Sequence, residues 1–221
     1  MSKIDVDFGG WMQEAFDLYK NNFVVLLLVN LIAALLSSVT VGVLSGPLYA
    51  GVCIVTLALL DGRTPAPQAG EVFEGMKFFL PSFLFMLIVG AIGLLGYFIM
   101  AATCVLVPLI PVGALFLMGA TMFSLFLIVE KRVDAWQSIV QSFALLKLNF
   151  WPLLALAIVA NLAASVGGFL CGVGAFLTMP FYFCVLAVAY RKVTGGSPAP
   201  AAADGEPLVR INPPPPAAPA P

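Results

Sequence analysis

FALLKLNFW, residues 143–151, repeats a phrase already present at residues 16–23, FDLYKNNF. Both read F-x-L-x-K-x-N-F. In each copy an amphipathic stretch ends in a lysine, and a long uncharged stretch opens three residues later, at Phe23 or Phe150. A polar-edged phrase that precedes an uncharged run marks the joint between an interfacial helix and a membrane span. That reading sets the fold for the rest of the chain.

Outside the joints the composition is extreme. Of 221 residues, 62% are hydrophobic and 10% charged, with no histidine. A soluble domain is about 45–50% apolar and about 25% charged, so the solvent of this chain is expected to be mostly lipid. The formal net charge of −1 comes with no basic patch, which argues against nucleic acid as a partner. The N-terminus carries several acids and no strongly basic leader, so it does not read as a signal peptide. Ser2 occupies the position where N-myristoylation needs glycine.

All charges fall into four clusters, 3–20, 61–77, 130–147 and 191–210, and the blocks between them, 21–60, 78–129 and 148–190, contain none. A membrane helix takes about 20 apolar residues, so each block holds two crossings and a turn. Six spans are expected near 23–41, 44–60, 78–100, 105–129, 150–170 and 174–190. An even number of crossings per block puts every Lys and Arg on one side. The opposite turns, VGVLSGP, ATCVLVPLIPVG and VGGFLCGVG, have no charge. The bias in Lys and Arg orients the chain with both termini cytoplasmic, and the expected location is a bacterial cytoplasmic membrane. Uniform apolar runs of this length exclude a β-barrel, and backbone satisfaction in lipid leaves helices.

A short amphipathic stretch precedes each block. Met12, Ala15, Phe16 and Tyr19 form the first stripe, and Val72, Phe73 and Met76 the second. Trp136, Ile139, Val140 and Phe143 form the third. Such helices lie in the headgroup plane; a plain extension of the following span is the alternative. The expected fold is therefore an all-α integral membrane protein of six transmembrane helices with interfacial helices. It is organised as three helix-plus-hairpin units, 8–63, 70–132 and 133–193, within one membrane domain, 1–193. The segment 194–221, GGSPAPAAADGEPLVRINPPPPAAPAP from Gly195 onward, is rich in Pro and Ala and reads as a disordered cytoplasmic tail.

Candidate sites are few. The expected spans contain no Asp, Glu, Lys, Arg or His, whereas intramembrane ionisable groups mark proton relays and ion-coupled pumps. No catalytic constellation, metal set or cofactor motif is present, and the expectation is a non-enzymatic protein with no cofactor. Asn30 and Asn161 are the most polar groups within the spans. They read either as a cross-helix hydrogen bond or as the wall of a cavity for a polar headgroup. Trp11, Lys20, Lys77, Trp136, Lys147 and Trp151 read as interfacial anchors. Arg191 and Lys192 read as anchors or contacts to anionic lipid. Gly42-x-x-x-Gly46 and the set Gly90, Gly93 and Gly96 read as helix-packing surfaces. Pro47, Pro108, Pro111 and Pro180 read as breaks or kinks. Cys53 and Cys184 read as apolar filler; Cys104 and Cys171 fall near outer helix ends, where a disulfide is conceivable.

SIVQSFALLKLNFWPLL (138–154) and GVGAFLTMPFYFCVLAVAYRKV (172–193) give the chain its resemblance to a known family. It resembles the six-span membrane domain fused to some glycerophosphodiester phosphodiesterases, and the stand-alone bacterial relatives of that domain. The phosphodiesterase's own carboxylates and histidines have no counterpart here. The resemblance implies a non-catalytic membrane module of undetermined role. The reading adopted from the residues is a module that organises lipid or a membrane partner, which admits a membrane-protein partner or a homo-oligomer. The alternative from the residues is a carrier or channel for an apolar or lipid-like substrate.

Overall fold

A computed structural model describes residues 7–102, 110–148, 150–168 and 173–195. Cys104, Cys171, Pro108, Asn149 and the tail beyond 195 lie outside the described residues. Every regular element among those described is a helix, with no strand. The order is α1 (Phe8–Asn21), α2 (Phe23–Val39), α3 (Ser45–Leu60), a 3-10 helix (Ala69–Phe78), α4 (Phe79–Ala102), α5 (Ile110–Thr121), α6 (Ser124–Lys131), α7 (Ala135–Leu148), α8 (Phe150–Gly168) and α9 (Val173–Thr194).

Three helices are long and apolar enough to cross a membrane: Ala69–Ala101, Ile110–Lys131 and Phe176–Thr194. The count rises to five if each of two bent pairs is one span. These pairs meet at the repeated phrase. The axes of α1 and α2 differ by 86° across Asn22, and those of α7 and α8 by 111°. The joint after Lys20 and after Lys147 is therefore a sharp turn between helices and not a straight extension. Asn22 closes the first one: its amide N–H and its Nδ2 both donate to the Leu18 carbonyl, at 3.2 and 3.1 Å.

The amphipathic stretch before α4 differs from α1 and α7. It winds as a 3-10 helix that runs without a bend into α4, giving 33 continuous residues. Packing explains the difference. A Cβ added at Gly51 would lie 1.8 Å from the Val72 carbonyl oxygen, and one at Gly75 would lie 2.0 Å from that of Pro47. Here α3 and the 3-10 helix touch backbone to backbone, and the narrower 3-10 winding permits that approach. The contact continues upward, where a Cβ at Gly46 would meet the Ser82 carbonyl at 2.5 Å.

Those contacts correct the reading of the glycines. Gly46 packs, but Gly42 has a φ of +83° in the α2–α3 turn and faces open space. Gly90 and Gly96 also face nothing within 4 Å, and Gly93 meets only the tip of Leu117, at 3.6 Å. Among the described residues, Gly46, Gly51 and Gly75 admit the backbone of another element, and Gly119 packs against the Leu154 side chain at 3.1 Å.

The amphipathic stripes divide as well. In α1 the buried face is Trp11, Ala15 and Leu18, laid along α9, while Phe16 is exposed. In α7 the buried residues are Ala135, Ser138, Ser142, Leu145 and Leu146, and Trp136 and Val140 point outward. A helix that hides serines and displays tryptophan and valine inverts the pattern of a water-soluble surface helix. Helix α4 is extreme: Leu80, Leu84, Leu87, Ile92, Leu94, Leu95, Phe98 and Ile99 are all exposed.

Candidate functional site: an apolar cavity above a buried ion cluster

Three helices end in similar phrases: ALLDGR at α3, LIVEKR at α6 and VAYRKV at α9. The structure brings the matching residues together. Arg191 forks onto Asp61, with Nε to Oδ1 at 3.0 Å and Nη2 to Oδ2 at 2.5 Å, and its Nη1 donates to Glu130 Oε1. Only 9% of the Arg191 side chain is exposed, and 14% of each acid. Two carboxylates on one planar guanidinium use its fixed fork of donors, a geometry lysine could not supply. Lys192 pairs with Glu14 at 2.8 Å, and Arg63 with Glu71 at 2.9 Å. Ion pairs thus join residues from all four charge clusters. Arg191 is not a free headgroup ligand, and the equal placement of Asp61, Glu130 and Arg191 at three helix ends is the sequence signal that could have disclosed it.

Tyr190 is fully buried beside this cluster, stacked on Phe126 with centroids 5.5 Å apart and tilted against Phe123 at 5.9 Å. Beyond these rings lies a cavity of about 290 Å³. Its lining is in register on the three helices. Tyr49, Met118 and Met179 each stand twelve residues before Asp61, Glu130 and Arg191, and Cys53, Met122 and Phe183 each stand eight before them. At 1.5 Å per helical residue, these positions are roughly 12 and 18 Å from the ion cluster. Phe85 and Met86 of α4 complete one wall.

One helix break and one helix-interior proline border this cavity. Between α5 and α6 the helix breaks at Met122–Phe123, and the freed Phe123 amide donates to Ser142 Oγ of α7 at 3.2 Å. Ser124 Oγ reaches the Ser138 carbonyl at 3.4 Å, and Ser138 Oγ donates to the Ala135 carbonyl at 2.7 Å. The Ser142 hydroxyl therefore satisfies the freed amide of the broken helix, which is how non-regular backbone survives away from water. In α9, which is continuous from Val173 to Thr194, Pro180 lies inside the helix, where it lacks an N–H and crowds the preceding turn. The Tyr19 hydroxyl donates to the nearby Leu177 carbonyl at 2.9 Å. Tyr19 also packs edge-on against Phe181, centroids 6.0 Å apart.

A second, larger hollow of about 670 Å³ lies between α4 and α5, lined by apolar side chains and glycines including Gly93, Gly96 and Gly113. Met118 and Thr121 line both hollows.

The expected site residues scatter around this arrangement. Asn161 on α8 donates Nδ2–H to the Met118 sulfur at 3.0 Å, which places it behind the cavity wall. Asn30 is buried on α2 and donates to the Leu26 carbonyl at 2.9 Å; its Oδ1 accepts nothing. The cross-helix bond between the two asparagines is not formed. Among the expected anchors, Trp11 is buried in the core, while Trp136 and Trp151 are 63% and 78% exposed. Lys20 is exposed, Lys77 sits 4.0 Å from Glu74, and the Lys147 ammonium lies 4.4 Å over the Phe143 ring. Cys53 and Cys184 are buried free thiols. Among the described residues no three His, Cys, Asp or Glu side chains come together as metal ligands.

Comparison with protein-family models, with curated proteins and with solved structures found no match.

Proposed function

We propose that the chain is a non-enzymatic multi-pass protein of the cytoplasmic membrane that organises lipid, with the apolar cavity as the place where a lipid-like molecule is held. The observation that carries this reading is the cavity itself, lined in register by three helices and bordered by the α5–α6 break and the proline inside α9. Six crossings in three repeated units fit the equal offsets of eight and twelve residues from the ion cluster. With that cluster at the cytoplasmic face, the cavity falls near the middle of a hydrocarbon core about 30 Å thick. The apolar outer face of α4 and the inverted face of α7 support lipid as solvent. Membrane lipids are the expected partners, and the exposed α4 face leaves room for a membrane-protein partner or a second copy.

Carriage of an apolar substrate is the second reading. It is favoured by the shared wall at Met118 and Thr121, which puts the cavity beside the hollow between α4 and α5. Broken helices at mid-membrane are a recurring feature of transporters.

Native mass spectrometry of the protein released from lipid nanodiscs tests the main reading. Retained lipid-sized masses are expected, and bare protein in every charge state would sink it. A reporter placed after Arg63 is expected to read out as cytoplasmic, and an external readout would refute the orientation.

A further inference from the structure

Four of the chain's eight methionines, Met86, Met118, Met122 and Met179, line the 290 Å³ cavity together with two tyrosines, Tyr49 and Tyr182. No charged side chain lines it, so a charged ligand would be desolvated there without a counter-charge. Its volume is about twice the 150 Å³ of a cavity that accepts benzene, which is the scale of a two-ring molecule. Thioether side chains adapt to a ligand's outline and make favourable sulfur–aromatic contacts. The ring of Tyr49 stacks on Phe183 at 5.7 Å and that of Tyr182 meets Phe183 edge-on at 5.6 Å, so the wall is already ordered for another flat ring.

The tyrosines add polarity. Tyr49 and Tyr182 are partly buried, and neither hydroxyl makes a hydrogen bond with the described residues. Thr121, by contrast, already donates to the Leu117 carbonyl at 2.8 Å. Two side chains of the lining therefore carry O–H donors not engaged with the described residues, beside an apolar, sulfur-rich and aromatic wall. We infer that the cavity binds an uncharged two-ring molecule carrying hydrogen-bond acceptors, a ring diketone of the quinone class, received by Tyr49 and Tyr182. The inference rests on the reading of the cavity as a site for a lipid-like molecule, and it narrows the class of that molecule.

The test uses the full chain in nanodiscs of a saturated phosphatidylcholine, with two probes compared against empty discs by native mass spectrometry. One probe is 2,3-dimethyl-1,4-naphthoquinone, which has no free ring position for a thiol to attack; the other is 2,3-dimethylnaphthalene. Retention of the quinone is expected to be about tenfold tighter than that of the hydrocarbon, and a tenfold difference corresponds to about 1.4 kcal/mol. The double variant Tyr49→Phe/Tyr182→Phe is expected to lower quinone retention to the hydrocarbon level and to leave hydrocarbon retention unchanged. Filling the cavity by Cys53→Trp or by Cys53→Phe/Thr121→Phe is expected to weaken retention of both strongly. Equal retention of the two probes, or full quinone retention in the tyrosine double variant, overturns the assignment of a quinone-class ligand and leaves the apolar cavity standing. Retention of neither probe above empty discs overturns both. Unchanged retention in a folded cavity-filled variant also overturns both, because the probe is then bound elsewhere. Should both filled variants fail to fold, the near-isosteric tyrosine double variant still decides the question.

Discussion

Arg191 at the end of α9 holds Asp61 at the end of α3 through two parallel hydrogen bonds, 3.0 and 2.5 Å long, across 130 residues of sequence. With Glu130 on its remaining edge, the guanidinium ties together three helix ends that share no local contact in the chain. Its removal would leave two carboxylates side by side with little access to water.

Arg191→Ala is therefore expected to lower stability by about 3–5 kcal/mol, the scale for breaking a buried ion pair. Thermal or steric-trap unfolding in detergent measures it. The triple replacement Asp61→Leu/Glu130→Leu/Arg191→Met is expected to recover most of the loss, since an apolar set needs no counter-charge. If the triple variant is no better than Arg191→Ala, uncompensated charge is not the cause.

Gly51→Ala and Gly75→Ala should both destabilise by about 1–3 kcal/mol or more, because each new methyl would sit within about 2 Å of a carbonyl oxygen. Gly90→Ala and Gly96→Ala, facing open space, serve as matched controls and are expected to change little. Equal melting shifts across the four variants would contradict the backbone contact between α3 and the 3-10 helix.

At the α5–α6 break, Ser142→Ala leaves the buried Phe123 amide without its acceptor. A loss of about 0.6–2 kcal/mol is expected, the range for side-chain hydrogen bonds between membrane helices. Faster hydrogen exchange confined to residues near Phe123 is the accompanying sign. Exchange that is unchanged there would show that the serine does not cap the break.

On α4, Leu87→Arg places a charge on an exposed apolar face in the middle of the longest helix. An insertion assay on this segment is expected to show a cost of about 2.5–3.5 kcal/mol relative to leucine. Insertion as efficient as that of the parent segment would argue that α4 does not face lipid.

The helical class, the long apolar helices and the sharp joints could be read from the residues. Uncharged runs bounded by charge admit only helices, and the phrase around Lys20 and Lys147 coincides with the bends of 86° and 111°. The single-sided placement of charge agrees with ion pairs that link all four clusters. The amphipathic stripes were less legible. Periodicity finds the apolar face of α7 but cannot say that Ser138 and Ser142 turn inward. That depends on an unpaired amide 19 residues earlier in the chain.

Which segments could enter lipid was legible in the residues, because transfer of charge and of unpaired backbone into hydrocarbon is a property of each segment alone. The residues also put an acid or a base near the ends of three helices. Which of these groups meet depends on how the helices pack. A guanidinium satisfies two carboxylates only when three helix ends converge, and a cavity exists only where Tyr49, Met118 and Met179 face one another. Glycine likewise reveals itself as a packing residue, at Gly51 and Gly75, only when another backbone arrives to use the space.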